Sequence, residues 1–543
     1  MTGNSIELFA VFIGLFIVFV GIGFWASRWR RGDLSDLGEW ALAGRKIGVY
    51  LAWFLVGADL YTAYTFIAIP ASLFGGFPAA GTIFFFAVPY VGITFAVALI
   101  TMPRLWKISR NKNYVTAVDM VQDRYDSKFL TIIIALTGIV AELPYIALQI
   151  YGMQAVLTVM IGQSFSGADV TLIAEISLVI AFIILAAYTF TSGLRGATIT
   201  AVFKDAVIFI TVIVVIIVIP LSIKNGFGGA ISNANTLAPG IVTGYKGAVT
   251  NFEVLPSLLL DGFISIAIMS ALALYLYPHA INGILSTSST KKLRYSTALL
   301  PIYGIGLALL ALFGILAYAS QGAMSIIAPH FNYSTGTWQT GYSAGPNTVY
   351  NVLVVPALIY ASFPSWFVGF AFLGIFVGGL VPASIMAISQ ANLLTRNVIK
   401  YFRPNMTPQT ETRVAKWASV IFKFIALGFI FIVSASSALQ LQLLGGIIIL
   451  QTLPSIFLTL YTKRLNKWGL IVGWFAGMIL GIYEVYSANF IQHSFTSLHT
   501  TFYNFGSPLG LIYAGLAATL LNLLFVGVIS LVIGPTKEKP SAS

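Results

Sequence analysis

Cysteine is absent from the 543 residues. Disulfides, thiolate metal sites and cysteine nucleophiles are therefore excluded. Charge is scarce: Asp, Glu, Lys and Arg make up 8% of the chain, against roughly 25% in a soluble domain. A water-exposed surface cannot be built from so little charge. With 58% hydrophobic residues, most of the chain must face lipid or other apolar helices. Histidine is limited to four residues, whereas a haem-copper oxidase subunit would need about six on helices. The phosphate loop G-x-x-x-x-G-K-S/T and the zinc helix H-E-x-x-H are both missing, so neither nucleotide-driven transport by this chain alone nor zincin chemistry is expected. The chain reads as a non-enzyme without a cofactor.

What is present is a succession of apolar runs long enough to cross a bilayer. They lie near 6–26, 48–74, 79–101, 129–162, 171–190, 200–223, 257–284, 296–320, 364–395, 414–436, 438–461, 468–489 and 508–533. The expectation is an all-α integral membrane protein of thirteen transmembrane helices forming one polytopic domain over 1–543, with a short cytoplasmic tail at 534–543. No basic n-region precedes the first run, which ends in Arg28, Arg30 and Arg31; it reads as a retained helix rather than a signal peptide.

The basic residues orient the spans. With the N-terminus outside and the C-terminus in the cytoplasm, 26 of the 29 Lys and Arg fall on cytoplasmic segments, Arg195 and Lys204 included. Lys224 and Lys246 fall outside, and Lys423 lies within a span, from which it can snorkel inward. So one-sided a distribution is the positive-inside pattern of a plasma-membrane protein. The net charge of +12 thus reports topology rather than nucleic-acid binding. The partners expected are the lipid bilayer and a small-molecule substrate; the oligomeric state is left open. The outer segments 224–256 and 321–363 are long and nearly uncharged, and 348–361 reads as a short helix on the outer surface.

Secondary transporters break helices at the membrane midplane to bind solute and ions. Two spans carry that signature. The second runs Gly57-Ala58-Asp59-Leu60-Tyr61-Thr62-Ala63-Tyr64-Thr65 before Pro70, and the seventh runs Tyr277-Pro278-His279. The two breaks are five spans apart, as an inverted five-plus-five repeat over 48–223 and 257–461 requires, with two helices following at 468–533.

These segments resemble the sodium/solute symporter family. Tyr277-Pro278-His279, followed by Lys291-Lys292-Leu293-Arg294, is similar to its Q-P-H motif and basic loop. Gly44-Arg45-Lys46-Ile47-Gly48 resembles its G-R-x-L-G, and Tyr188 to Arg195 its Y-T-x-x-G-G-L-R. Asn392 to Lys400 resembles the end of its eighth core helix. The details around Gly57–Phe66, Leu276–His279 and Val381–Met386 look closest to the monocarboxylate permease branch. The resemblance implies a LeuT-type fold, with one helix before the core and two after it, and solute:cation symport. It also implies a sodium site, whose positions fall on Ala58, Tyr61, Gly378, Val381, Pro382 and Ala201, a set that lacks the expected side-chain oxygens. A desolvated cation needs about five or six oxygens. Ser384, Thr62 and carbonyls freed near Pro382 are the available substitutes, and protons are favoured over sodium as the coupling ion.

The candidate pathway residues follow from polarity inside the membrane, where an unpaired charge costs roughly 2.5 kcal/mol or more. Asp59 binds a proton, caps the broken helix, or does both. His279 shuttles a proton, contacts a carboxylate substrate, or fills the space beside Pro278. Glu142, Tyr145 and Gln149 share one helix face, which either lines the path or forms a polar seam. Tyr61, Tyr64, Tyr145 and Tyr277 cluster at the breaks as candidate gates. No Lys or Arg is expected at the midplane, so a carboxylate substrate would meet half-helix N-termini and the hydroxyls of Thr62 and Thr65. The expected function is import of a small monocarboxylate such as lactate or pyruvate with a cation. The alternatives are sodium-coupled uptake of a sugar, proline or other solute, and a channel-like or sensory protein.

Overall fold

The computed structural model describes residues 3–29, 32–75, 82–165, 167, 169–241, 252–344, 348–431, 437–492, 494, 498–507 and 509–536. The start of the expected third span, the tail from 537 and the basic residues Arg30, Arg31, Lys246, Lys537 and Lys539 lie outside them.

The helices are α1 (Gly3–Trp25), α2 (Val49–Gly57), α3 (Ile69–Gly75), α4 (Ala87–Asn111), α5 (Ala117–Tyr125), α6 (Lys128–Gly162), α7 (Val170–Ser192), α8 (Leu194–Ser222) and α9 (Gly226–Ile241). They continue as α10 (Leu260–Leu274), α11 (Pro278–Leu285), α12 (Pro301–Ala311), α13 (Val354–Ser362), α14 (Ser365–Leu393), α15 (Pro408–Gly428), α16 (Ala438–Leu450), α17 (Lys467–Tyr486) and α18 (Ala514–Ile533). Two short hairpins, Phe331–Asn332 with Thr337–Trp338 and Phe502–Asn504 with Leu511–Tyr513, supply the sheet among the described residues. Backbone polar groups have no water to bond in a bilayer, so the helix is the economical solution throughout.

Among the described residues, nine helices are long and apolar enough to cross a membrane, or eleven spans if two bent pairs each count once. The bent pairs are Leu260–Leu274 with Pro278–Leu285, at 50°, and Gln440–Leu450 with Pro454–Tyr461, at 44°. Two of the thirteen expected spans are not in that set. The span expected at 48–74 is divided into α2 and α3, each too short alone. The one expected at 414–436 corresponds to α15, which carries Glu411, Arg413, Lys416 and Lys423 and whose continuation at 432–436 is not described.

At the centre stands α14, buried along nearly its whole length and packed against α1, α6, α8 and α15. Around it, α1, α7, α8, α17 and α18 turn rows of large apolar side chains outward, Ile17, Ile183 and Leu531 among them. This inside-out pattern is what lipid rather than water selects. The short helix expected over 348–361 is α13, preceded by a turn of 3-10 helix at Asn351–Leu353. Most of α13 is buried, so it lies within the protein rather than on its surface. Asn351 donates to the Gly75 carbonyl at 3.1 Å, tying this segment to the end of α3. The helix α9, in the segment 224–256, had no counterpart in the sequence reading.

One polar cluster joins α5, the residues following α14 and the start of α15. Thr116 caps α5 in a reciprocal box with Asp119 and donates to Asn397 Oδ1 at 2.8 Å. Asn397 in turn donates to Asp119 Oδ1 at 2.8 Å. Arg396 lies 3.6 Å from Asp119 and 3.4 Å from Glu411, and Lys400 also pairs with Glu411. All three of Thr116, Asp119 and Asn397 are buried. Replacing Asn397 by Leu strands two buried partners, and the expected cost is about 1–3 kcal/mol. Thermal unfolding of the detergent-purified chain checks this; an unchanged midpoint would remove the cluster from the set of stabilising contacts.

Candidate functional site

The helix begun by α2 stops at Gly57 and resumes as a π-helical turn at Tyr64–Ala68 that leads into α3. A helix broken inside the membrane leaves carbonyls on one side and N–H groups on the other without intrahelical partners. Side chains from elsewhere supply them. Ala63 N–H donates to Gln149 Oε1 at 2.9 Å, and Tyr64 N–H donates to Thr62 Oγ1 at 3.1 Å. Thr65 donates to the Leu60 carbonyl. On the carbonyl side, Lys204 Nζ donates to Tyr61 O at 2.7 Å and to Ala58 O at 3.2 Å. Gly57 is required here for a different reason: a Cβ on it would lie 2.1 Å from the ring of Tyr303.

The second break is built the same way. Tyr277 is extended, Pro278 opens α11 as its first residue, and the missing proline N–H is one that the helix start leaves unpaired anyway. Glu142 on α6 accepts from the His279 backbone N–H at 2.8 Å and contacts His279 Nδ1 at 2.8 Å. Ser389 on α14 donates to both oxygens of Glu142, at 2.9 and 2.8 Å. A carboxylate at a helix N-terminus is favoured by hydrogen bonding and by the helix dipole together. Thus α6 splints both breaks from one face, Gln149 and Tyr145 at the first and Glu142 at the second. Tyr145, Tyr277 and His279 close the space between with ring centroids 5.3–5.6 Å apart.

Between the breaks is a small buried cavity, lined by Asp59, Tyr64, Tyr90, Tyr145, Ser270 and Gln442, with apolar walls from Leu60, Leu274 and Leu307. Both carboxylate oxygens of Asp59, the Ser270 hydroxyl and Gln442 Oε1 have no hydrogen-bond partner among the described residues. Asp59 is 3% exposed. Buried polar groups left unpaired are rare and costly, so four around one cavity make it the candidate place for a solute, an ion or water. No group of three or more His, Asp or Glu able to hold a metal occurs among the described residues.

The sequence model of the sodium:solute symporter family matches residues 40–481. The chain belongs to this family. The symporter is 38% identical over 96% of its length to a protein named monocarboxylate transport permease protein from Rhizobium johnstonii, 96% of which is covered. It is 32% identical over 97% of its length to YodF, an uncharacterized symporter of Bacillus subtilis, 95% of which is covered. Its fold is that of a Na+-coupled sialic acid symporter solved in a substrate-bound, outward-open state, with a TM-score of 0.68 over 98% of this chain and 99% of that one. At 15% identity that likeness concerns the fold alone. The protein is a multi-pass membrane symporter of a small solute and not an enzyme.

Most candidate residues of the symporter are brought together. Gly57, Ala58, Asp59, Tyr61, Thr62, Tyr64 and Thr65 form the first break, and Tyr277, Pro278 and His279 the second. Several expected roles do not survive the geometry. Asp59 does not cap the broken helix, since no N–H among the described residues donates to it. The half-helix N-termini are not open to a substrate, because Gln149, Thr62 and Glu142 already occupy them. Ser384 donates back to the Val381 carbonyl of its own helix at 2.7 Å. Ala201, Gly378, Val381 and Pro382 are all buried and bring no side-chain oxygen to the break. Lys423 does not snorkel: it is fully buried and donates to Ser419 at 2.8 Å.

The largest correction concerns Lys204, which the basic-residue count had placed at the cytoplasmic end, and with it the neighbouring Asp205. Both are fully buried, 2.9 Å apart, at the first break. Their adjacency within an apolar span was the available signal, obscured by the nearby Arg195. That arginine pairs with Glu39. Ser270 and Gln442 were missed because nothing local distinguishes a path-lining polar side chain from a buried one. Replacing Gln149 by Leu strands the Ala63 N–H in the break, and a loss of about 1–3 kcal/mol is expected. Thermal unfolding reads it; full stability would mean that water bonds that N–H equally well.

Proposed function

We propose that this symporter imports a small monocarboxylate, of the size of lactate or pyruvate, together with a proton by alternating access across the plasma membrane. The single observation that carries the reading is Asp59, whose two buried carboxylate oxygens have no hydrogen-bond partner among the described residues and face the cavity between the breaks. An anionic solute beside an ionised carboxylate is repelled, and the low-dielectric surroundings strengthen that repulsion. A proton on Asp59 removes the repulsion and turns one oxygen into a donor for the solute. Acid and proton then favour each other's binding, which is the requirement for symport. The relative named for monocarboxylate transport supports the choice of solute. The family's name points to sodium instead, and the experiment below separates the two.

Thirteen spans are the reading adopted for the topology, with α2 and α3 forming the broken first helix of one half over 48–223 and α10 and α11 that of the inverted second half over 257–461. The N-terminus lies outside and the C-terminus inside, on the evidence of the basic residues. The candidate pathway is Asp59, Tyr64, Tyr145, Ser270 and Gln442, with Glu142 and His279 acting as the splint of the second break.

Uptake of labelled lactate into proteoliposomes tests the reading, with pH and sodium gradients imposed separately. Accumulation driven by an inward proton gradient without sodium is expected; accumulation by sodium alone at equal pH would sink proton coupling. In Asp59→Asn, uphill accumulation should fall at least about tenfold, the loss of roughly 1.4 kcal/mol of coupling, while exchange of lactate across the membrane continues. Topology is tested separately in a chain with no native cysteine. With a membrane-impermeant maleimide, Ser343→Cys should label in intact cells and Lys291→Cys only after the membrane is opened. The reverse pattern would invert the orientation.

A further inference from the structure

The carbonyls released at a broken helix are hard oxygen ligands, the kind that bind an unhydrated monovalent cation. Here they already have one. Lys204 Nζ donates to Tyr61 O at 2.7 Å and to Ala58 O at 3.2 Å, and Asp205 Oδ1 lies 2.9 Å away. Tyr303 donates to the other oxygen of Asp205 at 2.6 Å, fixing the carboxylate. Lys204 and Asp205 are both 0% exposed. Ala201, one of the positions on which the family's implied sodium site falls, is one turn before Lys204 on α8, so the two share a face. An oxygen ligand is lost at one position, and an ammonium reaches the same break from the next turn.

We propose that the Lys204 ammonium is a tethered cation occupying the place at the first break that a transported sodium ion would otherwise fill, so that this site neither needs nor admits sodium. The charges are consistent with it. Lys204 and Asp205 cancel, and a sodium ion added to the same carbonyls would put a second positive charge in a fully buried place. Among the described residues, the other charged group that acts on the ammonium is Asp59, from the cavity side of the break. Asp59 is thereby left as the carboxylate free to exchange a proton. Tyr61 and Tyr303, with ring centroids 4.7 Å apart, wall the pair off on the other side. The consequence for coupling rests on the symport reading above; the occupancy of the site does not.

The test is the response of the purified full chain to sodium chloride, with choline chloride at equal ionic strength as reference. Wild type should show no sodium-dependent change in unfolding temperature. Lys204→Ala leaves two carbonyls, the Asp205 carboxylate and room for an ion with its water. Its unfolding temperature should rise by about 2 °C or more with sodium, and uptake lost by this variant should return in part when sodium is added. A stable Lys204→Ala chain indifferent to sodium would overturn the proposal. So would sodium stabilisation of wild type, and that measurement stands even where the variant fails to fold. Absence of lactate uptake by wild type would count against the proposed solute and leave the sodium response as a separate readout.

Discussion

A backbone that leaves its helix inside a bilayer must find other partners for every N–H and C=O it releases, because lipid offers none and each group left bare costs several kcal/mol. The centre of this protein is organised around that requirement. The first break sends its carbonyls to Lys204 and its N–H groups to Gln149 and Thr62. The second break sends its first N–H to Glu142, which Ser389 holds in turn. Residues that look like isolated polar intrusions in apolar spans are therefore the other halves of bonds made by broken helices. Their cost is offset only in that arrangement.

The same bonds bear on movement. A splint on α6 holds both breaks, so a shift of α6 relative to α2, α3, α10 and α11 must exchange partners at both at once. Such all-or-none exchange favours a few discrete arrangements over continuous deformation, which suits a carrier that must not be open on both sides. Asp59 stands apart. It takes part in none of these bonds and lines the cavity that the breaks enclose. Its ionisation can therefore change without dismantling the splint, whereas ionisation changes at Glu142 or Asp205 would disturb a bonded pair.

Much of the architecture was legible because apolarity over the length of a span is a local property of the chain. The break at Tyr277-Pro278-His279 was legible too, since proline removes an N–H wherever it sits, and so was the break around Asp59. The polar face of α6 was visible from the spacing of Glu142, Tyr145 and Gln149. What that face does was not visible, because spacing shows which side chains share a side and not which element faces them. Segment 224–256 read only as a long and nearly uncharged outer segment, with no helix assigned in it, yet Gly226–Ile241 within it is the helix α9; tertiary packing outweighed weak propensity there.

Composition and periodicity alone determined that this is a helical membrane protein and located two of its interrupted spans, since lipid acts on every residue by the same rule and leaves its record in the order of side chains. The tertiary structure decided the roles of individual charges. Lys204 counted as a cytoplasmic marker in the chain and stands at the first break in the fold. Glu142 and Asp59 are both buried acids in apolar spans, yet both oxygens of one are hydrogen-bonded and those of the other have no partner among the described residues. Charge attraction and hydrogen bonding act over a few ångströms between residues from 86 to 247 positions apart, and only the folded chain brings them within that reach.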